Sequence, residues 1–365
     1  ALRRVERLEG VRLATHRAVR GEGADGVFLL LIITEESTRS VAPLVRRDFA
    51  DRIAAGLAYR ETNLRGLNER LYASALVGGA TIVRAGWKKP SLTASPPLGF
   101  EISAAYRRYR WPYPSFESLL LDDRLERFEA AAAARWSVTG NLSLFIAPGL
   151  DIFSAGDPML EGQDAGPVPS APSGTAVTLA GGFDLERIDR AFYPRSGVLL
   201  GSRLTRWGLA RGGAPFELTR LEAHGTLFLD LGRALLSLHT AGAFSRGEVP
   251  AYLYEHQGGT ATIRGHEFGV FHGENSLLAR GDLRIPLNFD DLPDLGNPII
   301  LVALDLFADS GAVWNDGGLP SAGRFHSGFG LGLSFIPHTN WLLKFGYAWP
   351  MDPEGRWLFD IGTMF

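Results

Sequence analysis

The sequence contains few residues whose type and spacing could perform catalysis. No His-Glu-x-x-His, Gly-x-Ser-x-Gly or phosphate-binding Gly-Lys-Ser/Thr pattern is present, so zinc proteolysis, serine hydrolysis and nucleotide hydrolysis have no support. The eight histidines are scattered. His224 and His239 share one phase of two neighbouring predicted strands, and we interpret them as wall residues rather than metal ligands. We therefore expect no enzymatic activity, no cofactor and no metal; spacing alone leaves open a phospholipase with Ser and His on an outer wall.

A different chemistry is available to Arg264, Asp282 and Asp309. Arg264 is followed by Gly265 in segment 247–274, which is too long for a plain hairpin connection and can fold back on the strands. Both aspartates lie on the polar phase of predicted strands. A guanidinium placed between two carboxylates makes charge-assisted, bidentate hydrogen bonds. The residues alone leave open the alternative that Arg264 is a solvated loop residue and that the aspartates line water.

The elements that must position these residues are strands, because apolar residues recur at every second position. From Trp341 to Trp349 one phase is aromatic or leucine, while the other is Leu342, Lys344, Gly346 and Ala348. A soluble sandwich also alternates in this way. Most segments, however, exceed the roughly 5–6 residues of soluble strands and match the roughly 9–11 that cross a membrane. Glycine-rich second faces also suit a wet interior, so the pattern favours a transmembrane β-barrel.

Composition excludes several other classes. With 37 Lys+Arg against 40 Asp+Glu, the net charge of -3 does not steer the chain toward nucleic acid. The longest strongly apolar run, 27–33, is far shorter than the ~20 residues of a membrane helix. Zero cysteines suit an oxidising compartment. The lipid bilayer is therefore the first expected partner.

The segments number sixteen, which gives an all-β, 16-stranded antiparallel transmembrane barrel over residues 38–365. The long connections follow odd-numbered strands, so they share one end; with short turns periplasmic, both termini are expected in the periplasm of a bacterial outer membrane. The predicted strands are 39–47, 52–62, 68–79, 81–89, 99–110, 122–136, 140–154, 174–189, 196–208, 216–232, 234–246, 275–287, 299–314, 326–338, 340–350 and 355–365.

Residues 1–37 do not fit the barrel pattern. Residues 1–8 can form a short helix, and 11–20 and 26–35 can form two strands. These elements bury too little surface to fold alone, so we expect them to be the end of a preceding domain. No charged-then-apolar leader starts at Ala1, and a signal peptide, if one is made, is expected to have been removed.

Several segments resemble motifs of the BamA/TamA superfamily of POTRA-bearing outer-membrane proteins. Segment 263–266 (IRGH) resembles its (V/I)RG(Y/F) loop signature, with His266 in place of the usual aromatic residue. Segment 307–311 (FADSG) matches its F-x-D-x-G motif, and 282–286 (DLRIP) resembles an acidic-x-R-x-P segment in which glutamate is commoner than Asp282. Weaker likenesses are 190–197 to a periplasmic turn, 63–68 to a second turn, and 358–365 to a C-terminal barrel signal.

The resemblance implies that the loop arginine docks on the wall formed by strands twelve and thirteen, and that residues 1–37 are the last half of a final POTRA domain. The lumen-loop residues are then Ile263, Arg264, Gly265 and His266, and their expected motif partners are Asp282, Arg284, Phe307, Asp309 and Gly311.

The leading function is assembly of outer-membrane proteins by an insertase barrel that accepts client strands where its first and last strands meet. Its expected partners are unfolded outer-membrane or secreted proteins and periplasmic or lipoprotein accessory subunits. Alternatives are a two-partner-type polypeptide secretion pore and a display barrel fused to an upstream domain. An upstream region with several POTRA repeats favours the insertase, and one with two repeats and a helical plug favours the pore.

An insertase must offer a strand edge, and the first and last strands have features that weaken pairing. The first strand, 39–47, contains Pro43, which lacks a donor. The last strand has Gly355 at its start and Gly362 inside it, where glycine favours a kink. We predict fewer ladder hydrogen bonds here than between any other neighbours, and cross-linking of cysteines near Ala42 and Ile361. The seam residues are Ala42, Pro43, Gly355, Ile361, Gly362 and Phe365.

Overall fold

Strands form nearly all of the regular structure in the described part of the chain. The computed structural model describes residues 11–20, 27–35, 38–47, 53–65, 67, 69–90, 97–110, 124–155, 173–189, 193–209, 216–267, 269–287, 301–315, 317–336, 341–350 and 355–363. Its strands are β1 (Val11–Arg20), β2 (Val27–Glu35), β3 (Arg39–Arg47), β4 (Ile53–Leu64), β5 (Glu69–Gly78), β6 (Thr81–Lys89), β7 (Leu98–Arg110), β8 (Arg124–Ser137), β9 (Leu142–Ala155), β10 (Gly174–Ile188), β11 (Gly197–Trp207), β12 (Leu218–Asp230), β13 (Leu235–Gly247), β14 (Glu255–Gln257), β15 (Phe271–Gly273), β16 (Asn275–Pro286), β17 (Leu301–Trp314), β18 (His326–Ile336), β19 (Trp341–Pro350) and β20 (Arg356–Thr363).

Sixteen of these strands, β3–β13 and β16–β20, pair antiparallel in chain order and form a closed barrel. The predicted sixteen-strand antiparallel sheet is confirmed, and each strand end lies within two residues of its predicted position. Because successive strands reverse direction, the connections after β7, β9, β13 and β17 lie at one end. We call this the loop end, and we call the opposite end, where β3 begins and β20 ends, the terminal end.

The two faces of the sheet follow the alternation in the sequence. On β19, the Phe345 and Trp349 side chains are exposed on the outer wall, 49% and 39% respectively, whereas Lys344 points inward to Asp305, with 3.9 Å between Nζ and Oδ2. The Trp341 side chain, also expected outside, lies beyond what the structure describes. A barrel in a membrane needs such an apolar outer wall because lipid offers no hydrogen bonds.

The N-terminal region contributes a separate two-stranded sheet, β1 with β2. The two predicted strands of this region are therefore present, while the helix expected at 1–8 lies outside the described residues. In the described part of the chain, no helix is long and apolar enough to cross a membrane.

Candidate functional site

Segment 247–274 at the loop end folds into the barrel lumen through its own internal structure. It contains a 3-10 turn, Ala251–Leu253, and the short hairpin β14–β15. Gly258 and Gly259 have φ of 110° and 88°, values that side chains disfavour. The Gly258 N–H donates to Thr262 Oγ1 (2.8 Å), and this bond holds the turn that presents Arg264. We call segment 247–274 the lumen loop.

Arg264 lies against β16 and β17, where the structure brings it together with both aspartates. Its Nε donates to Asp309 Oδ2 (2.6 Å), and Nη2 donates to Asp309 Oδ1 (2.5 Å). Its Nη1 donates to Asp282 Oδ1 (2.5 Å), and its backbone N–H also reaches Asp309 (3.0 Å). One cation thus joins two strands of the wall through the fork geometry that a guanidinium allows.

The surroundings of Arg264 strengthen these bonds. Arg264 is 4% exposed, Asp309 3% and the adjacent Ile263 0%. The guanidinium carbon lies 3.9 Å from the centre of the Phe307 ring, within cation–π range. Burial alone would lower the pKa of Arg264, but its hydrogen bond with Asp309 and the charge of Asp282 raise it above its ordinary value. The residue is therefore a permanent cation in this position.

Arg280 on β16 is a site residue that the sequence analysis missed. Its Nη1 donates to the Ala261 carbonyl (2.8 Å), and its Nε lies 3.5 Å from Asp309 Oδ1. Arg280 on the wall therefore binds the backbone of the lumen loop, whereas Arg264 on the lumen loop binds aspartates of the wall. Arg280 lies on the same inward phase of β16 as Asp282, so the alternation of this strand could have identified it as a lumen residue.

Two expected motif partners have other roles. Arg284 does not contact Arg264; its Nε donates to Asp305 Oδ1 (2.8 Å), and its guanidinium lies 5.9 Å from the Tyr193 ring, at a turn of the terminal end. Gly311 faces the Gln257 side chain of the lumen loop, which occupies the space that a Cβ would need. Gly311 thus leaves space for the Gln257 side chain rather than contributing a hydrogen bond to Arg264.

The tip of the lumen loop also lies close to β18 and β19. A Cβ on Gly328 would overlap the Arg264 carbonyl oxygen, so only glycine allows this backbone approach. Gly265, with φ of 97°, packs against the Pro350 backbone. His266 Nε2 donates to the Ser327 carbonyl (3.0 Å), so the residue that departs from the family motif makes a polar contact here.

A second anchor holds the other half of the lumen loop, and the sequence analysis did not predict it. Tyr252 and Leu253 pack with Phe153, Trp207 and Phe216 in a buried apolar cluster. Beside this cluster, Arg220 Nη2 donates to the Leu253 carbonyl (2.5 Å) and Nη1 to Glu255 Oε1 (3.2 Å). The loop thus contacts the wall on β9, β11 and β12 as well as on β16 and β17.

The seam between β3 and β20 differs from every other junction of the barrel. Among the described residues it has one register pair, Ile361 with Val45. Each other neighbouring pair of barrel strands has at least seven, the fewest being between β5 and β6. The expected weak seam is thus present. The residue opposite Ile361 is Val45 and not Ala42, which corrects the predicted cross-linking position.

The remaining seam residues show how the last strand is held. β20 pairs with β19 in unbroken register from Arg356 to Thr363, passing through Gly362, so the kink expected at that glycine is absent from this pairing. The Tyr347 ring lies where a side chain of Gly355 would be. Pro43 lies within β3 opposite Leu57, and Phe365 is outside the described residues.

Metal chemistry has no visible site within the described ranges. No group of three or more His, Cys, Asp or Glu side chains there could hold a metal ion. His224, one of the two histidines considered above, borders a polar cavity of about 460 Å³ in the lumen together with Arg135, Asp184 and Glu222.

Comparisons with known proteins agree with this geometry. BamA from Haemophilus ducreyi lacking POTRA domains 1-3 is similar in structure, with a TM-score of 0.66, 16% identity, and coverage of 99% of this chain and 76% of that one. CdiB from Escherichia coli has a TM-score of 0.65, 13% identity and coverage of 99% and 69%. CdiB from Acinetobacter baumannii has a TM-score of 0.58, 13% identity and coverage of 96% and 65%. At these identities the similarity shows a shared fold.

Sequence comparison identifies the family. None of the curated proteins compared with the chain matches it. Residues 166–365 match the Omp85 superfamily domain, which is more than half of the chain. The family and its structural neighbours support a bacterial outer-membrane barrel of the insertase or secretion type. The chain belongs to the Omp85 superfamily.

Proposed function

We propose that the protein is an insertase that assembles outer-membrane proteins by accepting client β-strands at the seam between β3 and β20. The observation that carries this proposal is that the seam has a single register pair among the residues that the structure describes. Ladder hydrogen bonds contribute about 0.5–1.5 kcal/mol each in water, and unsatisfied backbone groups cost more in lipid. A junction with one pair is therefore the least costly place to open the barrel and expose an edge.

The stagger of the two strands adds to this argument. If the antiparallel register of Val45 and Ile361 continues, Thr363 lies opposite Pro43, and Arg356 lies beyond the end of β3. Among the described residues, the first residues of β3 and of β20 have no register partner across the seam. An extended client segment could pair with such an edge by strand addition.

The same proposal places the protein in its surroundings. Because short turns of such barrels are periplasmic, we assign the terminal end to the periplasm and the loop end to the outside. Residues 1–37 then form the end of a POTRA-like domain on the periplasmic side. The partners are the bilayer, unfolded outer-membrane or secreted clients and periplasmic or lipoprotein accessory subunits.

A disulfide across the seam tests the proposal. The chain has no cysteine of its own, so Val45→Cys with Ile361→Cys forms a defined cross-link between register partners. Leu57→Cys with Ala75→Cys, a register pair between β4 and β5, is the matched control. In proteoliposomes, the oxidised seam variant should lose client assembly and regain it on reduction, while the control keeps it. Full assembly by the locked seam variant would refute the proposal.

A polypeptide secretion pore is the second candidate, and the polar lumen cavity of about 460 Å³ favours it. Its wall presents charges of both signs, among them Arg135, which bonds to Glu101 (2.9 Å) and Asp184 (2.6 Å). The lumen loop, however, is anchored at two places, by Arg264 and by the apolar cluster that contains Tyr252 and Leu253. A pore must release those anchors, and a seam insertase need not.

A further inference from the structure

We infer that Glu267 and Arg356 form a tether through which the lumen loop holds the last strand in place and so controls how readily the seam opens. This inference rests on the proposed function, because it names residues that regulate the same seam. The carboxylate of Glu267 accepts a hydrogen bond from Arg356 Nη2 at 2.5 Å. Arg356 is the first residue of β20.

The loop tip runs across the last three strands of the barrel. The Arg264 carbonyl lies over Gly328 of β18, and Gly265 lies against Pro350 of β19. The Glu267 side chain, three residues after Arg264, reaches Arg356 of β20. The contacts of the loop tip thus extend from the arginine anchor on β16 and β17 as far as the seam strand.

Within the part of the chain that the structure describes, the start of β20 has no register partner on its seam side. Continuing the Val45–Ile361 register places Arg356 beyond the end of β3. On its other side, Arg356 pairs with Ala348 of β19. Movement of β20 away from β3 therefore has to carry Arg356 with it, and the Glu267 carboxylate resists that movement.

The exposure of the ion pair sets the size of its effect on the seam. Arg356 and Glu267 side chains are 41% and 63% exposed, and exposed ion pairs shift an equilibrium by small factors. Such a pair is suited to set the fraction of open seam rather than to lock it. Removing the tether should raise that fraction about 2- to 5-fold.

The test uses the full chain with spin labels on cysteines at Val41 of β3 and Phe345 of β19. Both native side chains are exposed on the outer wall, so labels there report the width of the seam. Glu267→Arg and Arg356→Glu should each increase the long-distance population about 2- to 5-fold, Glu267→Gln should act in the same direction, and the exchanged pair E267R/R356E should restore the original distribution. Arg206→Glu is the control, since Arg206 pairs with Glu217 at 2.6 Å with similar exposure, 43% and 73%, away from the seam.

Unchanged distances in the single variants would overturn the inference. So would failure of the exchanged pair to restore them, or an equal response to Arg206→Glu. The measurement needs no client, so its failure is distinct from failure of the proposed function. If the tether variants widen the seam but client assembly by the disulfide-locked seam is complete, the tether stands and the insertase proposal falls.

Discussion

At the scale of single residues, Arg264 organises the lumen because the buried carboxylate of Asp309 and the partly buried carboxylate of Asp282 depend on its charge. Alternation along β16 and β17 was enough to place Asp282 and Asp309 on the inward face, and the loop arginine was the cation within reach. The layer that each polar residue occupies along the barrel was not readable from alternation, which is why Arg284 was grouped with Arg264 although it bonds to Asp305.

Replacing Arg264 should release the lumen loop. Arg264→Ala leaves Asp309 buried without its main partner, and such losses cost about 3–5 kcal/mol; Arg264→Lys should recover only part, because an ammonium cannot make the bidentate pair. Limited proteolysis of segment 247–274 measures the effect, with Arg206→Ala, an exposed arginine outside the loop, as the control. Equal protease resistance of Arg264→Ala and the parent would contradict the anchor.

The hairpin of the lumen loop should weaken in acid. Burial and the nearby His272 lower the pKa of His256 from 6.5 to about 4, so the unfolded loop binds the proton more strongly than the folded loop between these values. The hairpin is fully stable above pH ~6.5 and loses up to about 3 kcal/mol as the pH falls toward 4. Hydrogen exchange of β14 and β15 against pH measures this.

His256→Gln isolates the histidine from its neighbours. Glu255 also titrates abnormally, because burial raises its pKa while Arg220 opposes that rise. The variant should retain the response of Glu255 and lose the steep part between pH 6.5 and 4. An identical pH profile in the variant would show that His256 does not control the hairpin.

At the scale of elements, β18 provides a groove for the loop because its inward face is glycine. Sequence alternation identified Gly328, Gly330 and Gly332 as a small face and interpreted it as wet interior. In the structure, two of these glycines are instead covered by other residues: the Arg264 backbone lies over Gly328, and the Phe307 ring lies over Gly330. The contact between a loop and a distant strand was not predictable, since it depends on where the loop turns rather than on local periodicity.

Gly328→Ala should displace the loop tip. The new Cβ would overlap the Arg264 carbonyl oxygen, which is backbone and cannot move without the loop, so destabilisation of about 1–3 kcal/mol is expected. Gly140→Ala is the matched control, because nothing lies within 4 Å of a Cβ there. Thermal unfolding in detergent compares the two variants; an equal midpoint for both would mean that the groove is not needed.

The register between β3 and β20 at the seam could not be predicted from the sequences of the two strands. Pro43 and the glycines of the last strand predicted weak pairing between the first and last strands, which the structure has. The predicted partner of Ile361 was wrong because register across a closing junction depends on the stagger accumulated around the whole barrel, not on either strand alone. No turn connects β3 to β20, so no loop length constrains their offset.

At the scale of the whole molecule, the sequence predicted the sixteen strands well because each has one lipid-facing and one inward phase. The same rule cannot distinguish an empty lumen from a filled one. The second anchor, with Tyr252, Leu253 and Arg220, brings together residues far apart in sequence, and no periodicity marks it. Under the proposed function, a barrel with an anchored loop in its lumen and one weak seam opens in its wall rather than through its lumen.

Under the proposed function a client meets the protein at the seam, and site-specific photo-cross-linking tests this most directly. A photoreactive amino acid is placed at Val45 or Ile361, at the seam, and at Phe145 or Glu222, which border the lumen cavity. A client arrested during assembly should form adducts at Val45 and Ile361 and few at Phe145 and Glu222. Adducts concentrated at the two lumen positions, with none at the seam, would contradict the account and support a secretion pore.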